Sequence, residues 1–254
     1  MLFGKRIQHS KDVLIDGEGC RYLLPNLQEN IALDIFVNGT YEPETVKFLK
    51  SIIPQNGRFL DLGANIGAVL IPLCKARQDI RAIAVEAAPW VFEYLARNVQ
   101  LNKLNGINLV NKALFDKDDE ELNFYSPALK FGKGSLSPVF SEEGVKVLTV
   151  KVDTLLDQMN FPSVDTIKID VEGFEYFAFR GAETQLRREK APDIVFEFVD
   201  WAEDRAMGIR AGAAQEFILS MGYNLFSLNE QRLIALKSPM LQGAANLFAS
   251  KRMR

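Results

Sequence analysis

The stretch Phe59-Leu60-Asp61-Leu62-Gly63-Ala64-Asn65-Ile66-Gly67 limits what this chain can fold into more than any other. It begins as a short apolar run of strand length and ends on two glycines before a helical pattern. Glycine turns the backbone tightly and lets a ligand approach it closely. A helix that starts behind such a turn offers its positive end to a carboxylate or phosphate. Strand, turn and helix in this order belong to open α/β sheets, which bind ligands beyond the carboxyl ends of their strands.

The neighbouring sequence repeats the unit. Pro43 suits a first helical turn, and Val46, Leu49 and Ile53 follow at helical spacing, so 43–53 reads as an amphipathic helix. Residues 58–62 read as a buried strand, 67–75 as a helix, 80–86 as a second strand, 89–104 as a helix and 107–110 as a third strand. Residues 166–170 and 193–198 read as the fourth and fifth strands, with a helix after Gly173 between them. A helix near 211–221 and a hairpin pairing 223–227 with 232–236 complete the pattern. This predicts an α/β fold: a doubly wound, mainly parallel sheet with helices on both faces and an antiparallel edge from the hairpin. Residues 124–149 break the alternation with Pro127, Gly132, Gly134, Pro138 and Gly144. They read as an inserted hairpin or lid, weakly packed because they lack apolar periodicity. The expected organisation is an N-terminal extension over 1–40, irregular or β-rich, and one domain over 41–254 with an insertion at about 124–149.

Composition excludes several partners. The net charge is −3 and no Lys/Arg stripe exists, only the terminal Lys251-Arg252-Met253-Arg254, so a nucleic-acid partner is not expected. No apolar run reaches the roughly 18 residues of a membrane span, and the first residues lack a signal-peptide pattern. The two cysteines, Cys20 and Cys74, have no metal-ligand spacing and fit a reducing compartment. The expectation is a cytoplasmic protein without a membrane or nucleic-acid partner. The single histidine, His9, reads as a surface residue, so a general base must be a carboxylate, Lys or Tyr.

Glu86 ends the second strand, where a carboxylate can accept both hydroxyls of a ribose. A nicotinamide enzyme would carry Gly-x-Gly-x-x-Gly after its first strand. Here the spacing is Gly-x-x-x-Gly, and Asn65 stands where a pyrophosphate needs the middle glycine. Asp61 before the turn can help neutralise an ammonium group, which S-adenosylmethionine carries. The cofactor expected is therefore S-adenosylmethionine. A nicotinamide-dependent oxidoreductase and a non-catalytic nucleoside-binding module are the alternatives.

At these residues the chain resembles a known family. Asp61-Leu62-Gly63-Ala64-Asn65-Ile66-Gly67 is similar to the glycine-rich motif of class I methyltransferases. Gly39-Thr40-Tyr41-Glu42-Pro43, Glu86-Ala87-Ala88-Pro89, Asn98 with Asn102, Lys168-Ile169-Asp170-Val171-Glu172-Gly173-Phe174-Glu175 and Gly181-Ala182 resemble the FkbM-type methyltransferases. The likeness covers roughly residues 39–200. It implies O-methylation of sugar or secondary-metabolite hydroxyls and a seven-stranded sheet in the order 3-2-1-4-5-7-6, with the hairpin supplying strands 6 and 7 and strand 7 antiparallel. It places Tyr41 and Glu42 near the donor or acceptor. The usual Glu-Pro after the second strand is Glu86-Ala87 here, which loosens the loop over the adenine and keeps the acid.

The residues expected to bind the donor are Tyr41, Glu42, Asp61, Gly63, Asn65, Gly67, Glu86 and Ala87. Those expected to carry the chemistry are Asp170, Glu172 and Lys168. Lys168 and Asp170 point to one face by strand alternation, and Glu172 and Glu175 start the next helix, where a carboxylate is favoured. Glu197 ends the fifth strand as a further inward acid. Asp170, Glu172 and Glu197 could together offer oxygen ligands to Mg²⁺, but nothing else marks a metal site, so none is expected. The acceptor expected is a small molecule or sugar.

Overall fold

The computed structural model describes residues 11–127, 129–139, 141–229 and 232–252, so the expectation for His9 and the last two residues of the basic tail lie outside it. The chain opens with strands β1 (Val13–Gly17) and β2 (Cys20–Leu24), an antiparallel hairpin, followed by helices α1 (Asn30–Asn38) and α2 (Pro43–Ile52). The irregular or β-rich reading of residues 1–40 therefore missed a helix. Its sequence, Asn30-Ile31-Ala32-Leu33-Asp34-Ile35-Phe36-Val37-Asn38, holds β-branched and aromatic residues that weaken its helical signature. Gly39 stops it in the left-handed conformation, at φ 77°.

The next units are β3 (Arg58–Leu62), α3 (Leu70–Ala76), β4 (Arg81–Val85), α4 (Pro89–Leu101) and β5 (Ile107–Val110). A small sheet of β6 (Ala113–Leu114), β7 (Glu121–Tyr125) and β8 (Gly144–Val150) follows, then α5 (Val152–Gln158). The chain continues through β9 (Thr166–Ile169), α6 (Glu175–Gly181), β10 (Asp193–Val199), α7 (Ala213–Ser220), β11 (Asn224–Asn229), β12 (Arg232–Ala235) and β13 (Ala244–Ser250).

The main sheet has eight strands in the order β12-β11-β13-β10-β9-β3-β4-β5, not seven. The strands β5, β4, β3, β9 and β10 are parallel neighbours, and β13 runs antiparallel to both β10 and β11. The expected hairpin forms between β11 and β12, but its second strand is an added edge. The antiparallel strand next to β10 is β13, which sequence reading overlooked. Its residues, Ala244-Ala245-Asn246-Leu247-Phe248-Ala249-Ser250, are rich in alanine, a poor strand former, and are held by neighbours on both sides.

Alternation along the strands splits the core between two faces. Phe59, Ala82, Ala84, Val195 and Phe248 pack with Val46, Leu70 and Val91 of α2, α3 and α4. Leu60, Leu62, Ile83, Ile167 and Phe196 pack with Leu155, Phe179 and Ile218 of α5, α6 and α7. The entry hairpin is hooked to α4 by two asparagines: Asn98 Oδ1 accepts from Leu23 N, and Asn102 Oδ1 accepts from Arg21 N at 2.9 Å. No helix among the described residues is long and apolar enough to cross a membrane.

Candidate active site

A cleft opens at the carboxyl ends of β3, β4, β9 and β10. Its walls hold six carboxylates, Glu29, Glu42, Glu86, Asp170, Glu172 and Glu197, against three lysines, Lys112, Lys133 and Lys168. The glycine loop forms one edge. Gly63 N and Ala64 N both donate to Val85 O, at 3.0 and 2.9 Å, which ties the turn to the end of β4. Gly63 has φ +81°, and a methyl group there would overlap the carbonyl of Asp170. The glycine is needed because two strand ends meet at this point.

Gly67 has another reason to be glycine. Its φ is +87°, and an added Cβ would stand 2.9 Å from Ile71 Cδ1 and 3.0 Å from Leu95 Cδ1. It faces the core and is not part of the cleft wall, so its expected contact with the donor is corrected. The regular helix also starts later than expected, at Leu70, because residues 64–69 form the turn.

Asn65 holds the loop to both sides of the cleft. It adopts the left-handed conformation at φ 51°, which asparagine tolerates. Its N–H donates to Glu86 Oε2 at 2.9 Å, and its side-chain amide donates to Phe131 O at 2.8 Å. Glu86 also accepts from Ala88 N at 2.8 Å, through Oε1. Each oxygen of an ionised carboxylate keeps a further acceptor site, so Glu86 can still receive a diol. Burial pushes its carboxyl up to about 7, with the two backbone N–H groups acting in the opposite direction. Ala87 lines the cleft beside it.

Asp61 lies behind the wall and does not line the cleft. Its side chain is fully buried, and neither carboxylate oxygen has a hydrogen-bond partner. Asp61 and Lys168 are register partners on β3 and β9, and Lys168 Nζ reaches to 3.9 Å of Asp61 Oδ1. The same ammonium stands 3.2 Å from Asp170 Oδ2. Burial pushes the Asp61 carboxyl up to about 6, against the pull of Lys168. For Lys168 burial acts downward, but Asp170, Asp61 and Glu42 reverse it and hold the ammonium above its ordinary range. The expected face shared by Lys168 and Asp170 is thus present, and Asp61 reaches the cleft through Lys168.

Beyond this group lie Tyr41, Glu42, Glu172 and Glu197. Glu42 and Glu172 adopt φ of 45° and 50°, an uncommon conformation for glutamate that costs of order 1–3 kcal/mol each. Such strain persists where surrounding structure imposes it. Tyr41 hydrogen-bonds Glu42, and burial raises the phenol far above its ordinary value. Burial, then Asp170, push Glu172 up to about 7, and burial, then Asp170, Glu172 and Glu42, push Glu197 up to about 8. Glu175 turns away: it accepts from Val171 N at 3.0 Å and serves the loop. Among the described residues no group of three His, Cys, Asp or Glu side chains could hold a metal ion.

Sequence reading missed Glu29 and Lys133. Glu29 precedes α1, outside every motif. Lys133 sits between two glycines, Gly132-Lys133-Gly134, a pattern that signals close backbone approach inside the insertion. Its ammonium stands 3.5 Å from Glu172 Oε1. The insertion is also better anchored than expected. Phe131 is 1% exposed, Tyr125 and Ser135 exchange both backbone bonds, and Ser137 Oγ donates to Arg205 O at 2.8 Å. The weak-packing expectation fails because one aromatic and several backbone bonds replace apolar periodicity.

The donor test is favourable. A carboxylate presented between two N–H groups, Glu86, and walls with more carboxyls than lysines suit a cationic nucleoside. Known proteins share parts of this sequence and fold. The chain is 24% identical to the methyltransferase sdnD of Sordaria araneosa, over 63% of this chain and 82% of that protein. It is 32% identical to the tRNA(Phe) (4-demethylwyosine(37)-C(7)) aminocarboxypropyltransferase of Methanocaldococcus jannaschii over 104 residues. That match covers 41% of this chain and spans only 38% of the relative. Among solved structures, a precorrin-6y C5,15-methyltransferase of Geobacter metallireducens covers 84% of this chain and 93% of its own, at 15% identity and a TM-score of 0.49. Over residues 61–225, from the acid before the glycine loop into β11, the sequence fits one family throughout, and the chain belongs to the FkbM methyltransferase domain family.

Proposed function

We propose that this protein transfers a methyl group from S-adenosylmethionine to a hydroxyl of a small molecule, such as a sugar or secondary metabolite. One observation carries this reading: Lys168 bridges buried Asp61 and cleft-facing Asp170 at the end of β9. When bound, the donor supplies a methyl group already activated on a sulfonium sulfur. The chain then has to bind, orient and move one proton. Glu86, with Ala87 beside it, holds the ribose hydroxyls. Gly63 and Asn65 shape the loop along the methionine end. Tyr41 and Glu42 close the opposite wall. Asp170 receives the hydroxyl proton of the acceptor, Lys168 fixes its position, and Glu172 orients the acceptor. Orientation of this kind lowers barriers by on the order of 7–11 kcal/mol, and a placed base adds about 10²–10⁴-fold.

The acid excess of the walls supports a small acceptor over a nucleic acid, whose phosphates it would repel. The buried free thiols of Cys20 and Cys74 support a reducing, cytoplasmic setting. The test is Asp170→Asn, which keeps shape and removes charge. Turnover should fall on the order of 10²-fold or more, with donor affinity within a few-fold of wild type. Full activity in Asp170→Asn removes it from the mechanism. Excess EDTA should leave turnover intact, and loss restored by Mg²⁺ would make the acids metal ligands.

A further inference from the structure

The lysines of the cleft are already engaged. Lys112 pairs with Asp119 at 3.1 Å, Lys133 with Glu172 at 3.5 Å, and Lys168 with Asp170 and Asp61. Glu29, Glu42 and Glu197 form no ion pair among the described residues. S-adenosylmethionine brings two positive groups and one negative, so its single net charge offsets one carboxylate. Burial raises three of the six carboxyls, Glu86, Glu172 and Glu197, and a cation placed among them draws these groups back into the ionised form.

Glu29 shows where the remaining demand lies. It is 3% exposed and lines the cleft. Its Oε1 accepts from Asn30 N at 3.0 Å, while Oε2 has no partner and is shut off from solvent. A buried carboxylate oxygen without a donor is costly, and a charged partner repays that cost best. Glu29 is also close to the acceptor side. The backbone of Gly132 packs against it, so near that a Cβ would stand 3.0 Å from Oε1, and the next residue is the Lys133 that binds Glu172. Glu29 is among the groups that raise the Glu172 carboxyl, and Glu172 and Glu42 among those that raise Glu197. Glu172 thus links Glu29 to Glu197, and Glu42 joins them at Glu197.

We propose that the acceptor is a hydroxylated molecule carrying a protonated amine, with Glu29 and Glu197 holding the ammonium while a hydroxyl faces Asp170. The proposal rests on the methyl-transfer reading and adds the acceptor's charge. In the transfer, the hydroxyl oxygen bonds the methyl carbon, the carbon–sulfur bond breaks with its electron pair going to sulfur, and the hydroxyl proton passes to Asp170. The amine keeps its proton and is recognised, not methylated.

The test separates the two layers. Calorimetry with S-adenosylhomocysteine alone reports the donor site, and its failure would remove the methyl-transfer reading itself. Protein saturated with S-adenosylhomocysteine is then titrated with glucosamine, glucose and glucuronate, three rings that differ in charge. Glucosamine should bind about tenfold or more tightly than glucose, and glucuronate weakest. In Glu29→Gln and Glu197→Gln the preference for glucosamine over glucose should fall towards unity. Glu29→Gln keeps an oxygen for Asn30 N–H, and the ratio is measured within one preparation, so a folding defect does not imitate the result. Equal affinity for the three probes, undetectable binding included, overturns the proposal. So does a Glu29→Gln protein that keeps the preference but loses S-adenosylhomocysteine, because Glu29 would then serve the donor.

Discussion

Gly63 and Gly67 share one motif, yet the structure gives them different neighbours and different costs. A side chain at Gly63 meets the rigid carbonyl of Asp170, whereas one at Gly67 meets the ends of Ile71 and Leu95. Gly63→Ala should therefore destabilise by about 2–6 kcal/mol, the sum of left-handed strain and overpacking. Gly67→Ala should cost less, about 1–3 kcal/mol, because flexible side chains can move. Urea unfolding midpoints check the order, and equal midpoints would show that the strand ends at Gly63 yield easily. Glu86→Ala should weaken S-adenosylhomocysteine binding about 10- to 100-fold by calorimetry, since it removes a charged acceptor of hydrogen bonds. Unchanged affinity in a folded protein would detach Glu86 from the ribose. The residue scale also shows what sequence can reveal of a site. Glu86, Lys168 and Asp170 were legible because strand ends and alternation fix them. Glu29 was not, because its place in the cleft comes from the packing of α1 against the entry hairpin, which no local pattern encodes. Asp61 was read as a donor contact, not as a buried residue: its pairing with Lys168 depends on the register between β3 and β9.

At the scale of elements, the β-α alternation was read from apolar runs and turn residues, and the parallel core from β5 to β10 follows from it. What failed were elements whose stability comes from neighbours. Alanine-rich β13 is a strand because β10 and β11 flank it, and α1 is a helix because Ala32 and Ile35 pack into the core. The inserted segment behaves likewise. Asn65 fastens Phe131, and Phe131 is buried beside Trp90, with ring centroids 6.5 Å apart. Amides at Tyr125 and Ser135 should therefore exchange slowly even without ligand. Phe131→Ala should remove that protection and leave the β3 and β9 amides slow. Rapid exchange at Ser135 in the wild type would mean the tethers open in solution.

Over the whole molecule, the crowding of acids gives stability an unusual pH dependence. Burial holds Glu86 and Glu172 up to about 7 and Glu197 up to about 8, above the ordinary 4.5. Between those values the folded chain keeps protons that the unfolded chain releases, so the contribution to stability is full below about 4.5 and is lost as pH rises through about 7–8. The ligand-free protein should melt at a lower temperature at pH about 8 than at about 5.5, and bound S-adenosylmethionine should narrow the gap. A midpoint that rises over this range would show that the carboxylates ionise without penalty. The position of β13 has a consequence in time. During synthesis β10, α7 and the β11–β12 hairpin all emerge before residues 244–250, yet β11 reaches the sheet only through β13. A nascent chain that has left the ribosome as far as residue 243 carries an open edge on β10 and a hairpin with nowhere to dock. β13 is made after the other described strands of the sheet and lies in its middle, so sheet closure waits on translation of residues 244–250, and a ribosome stalled just before them should leave the edge of β10 open to chaperones.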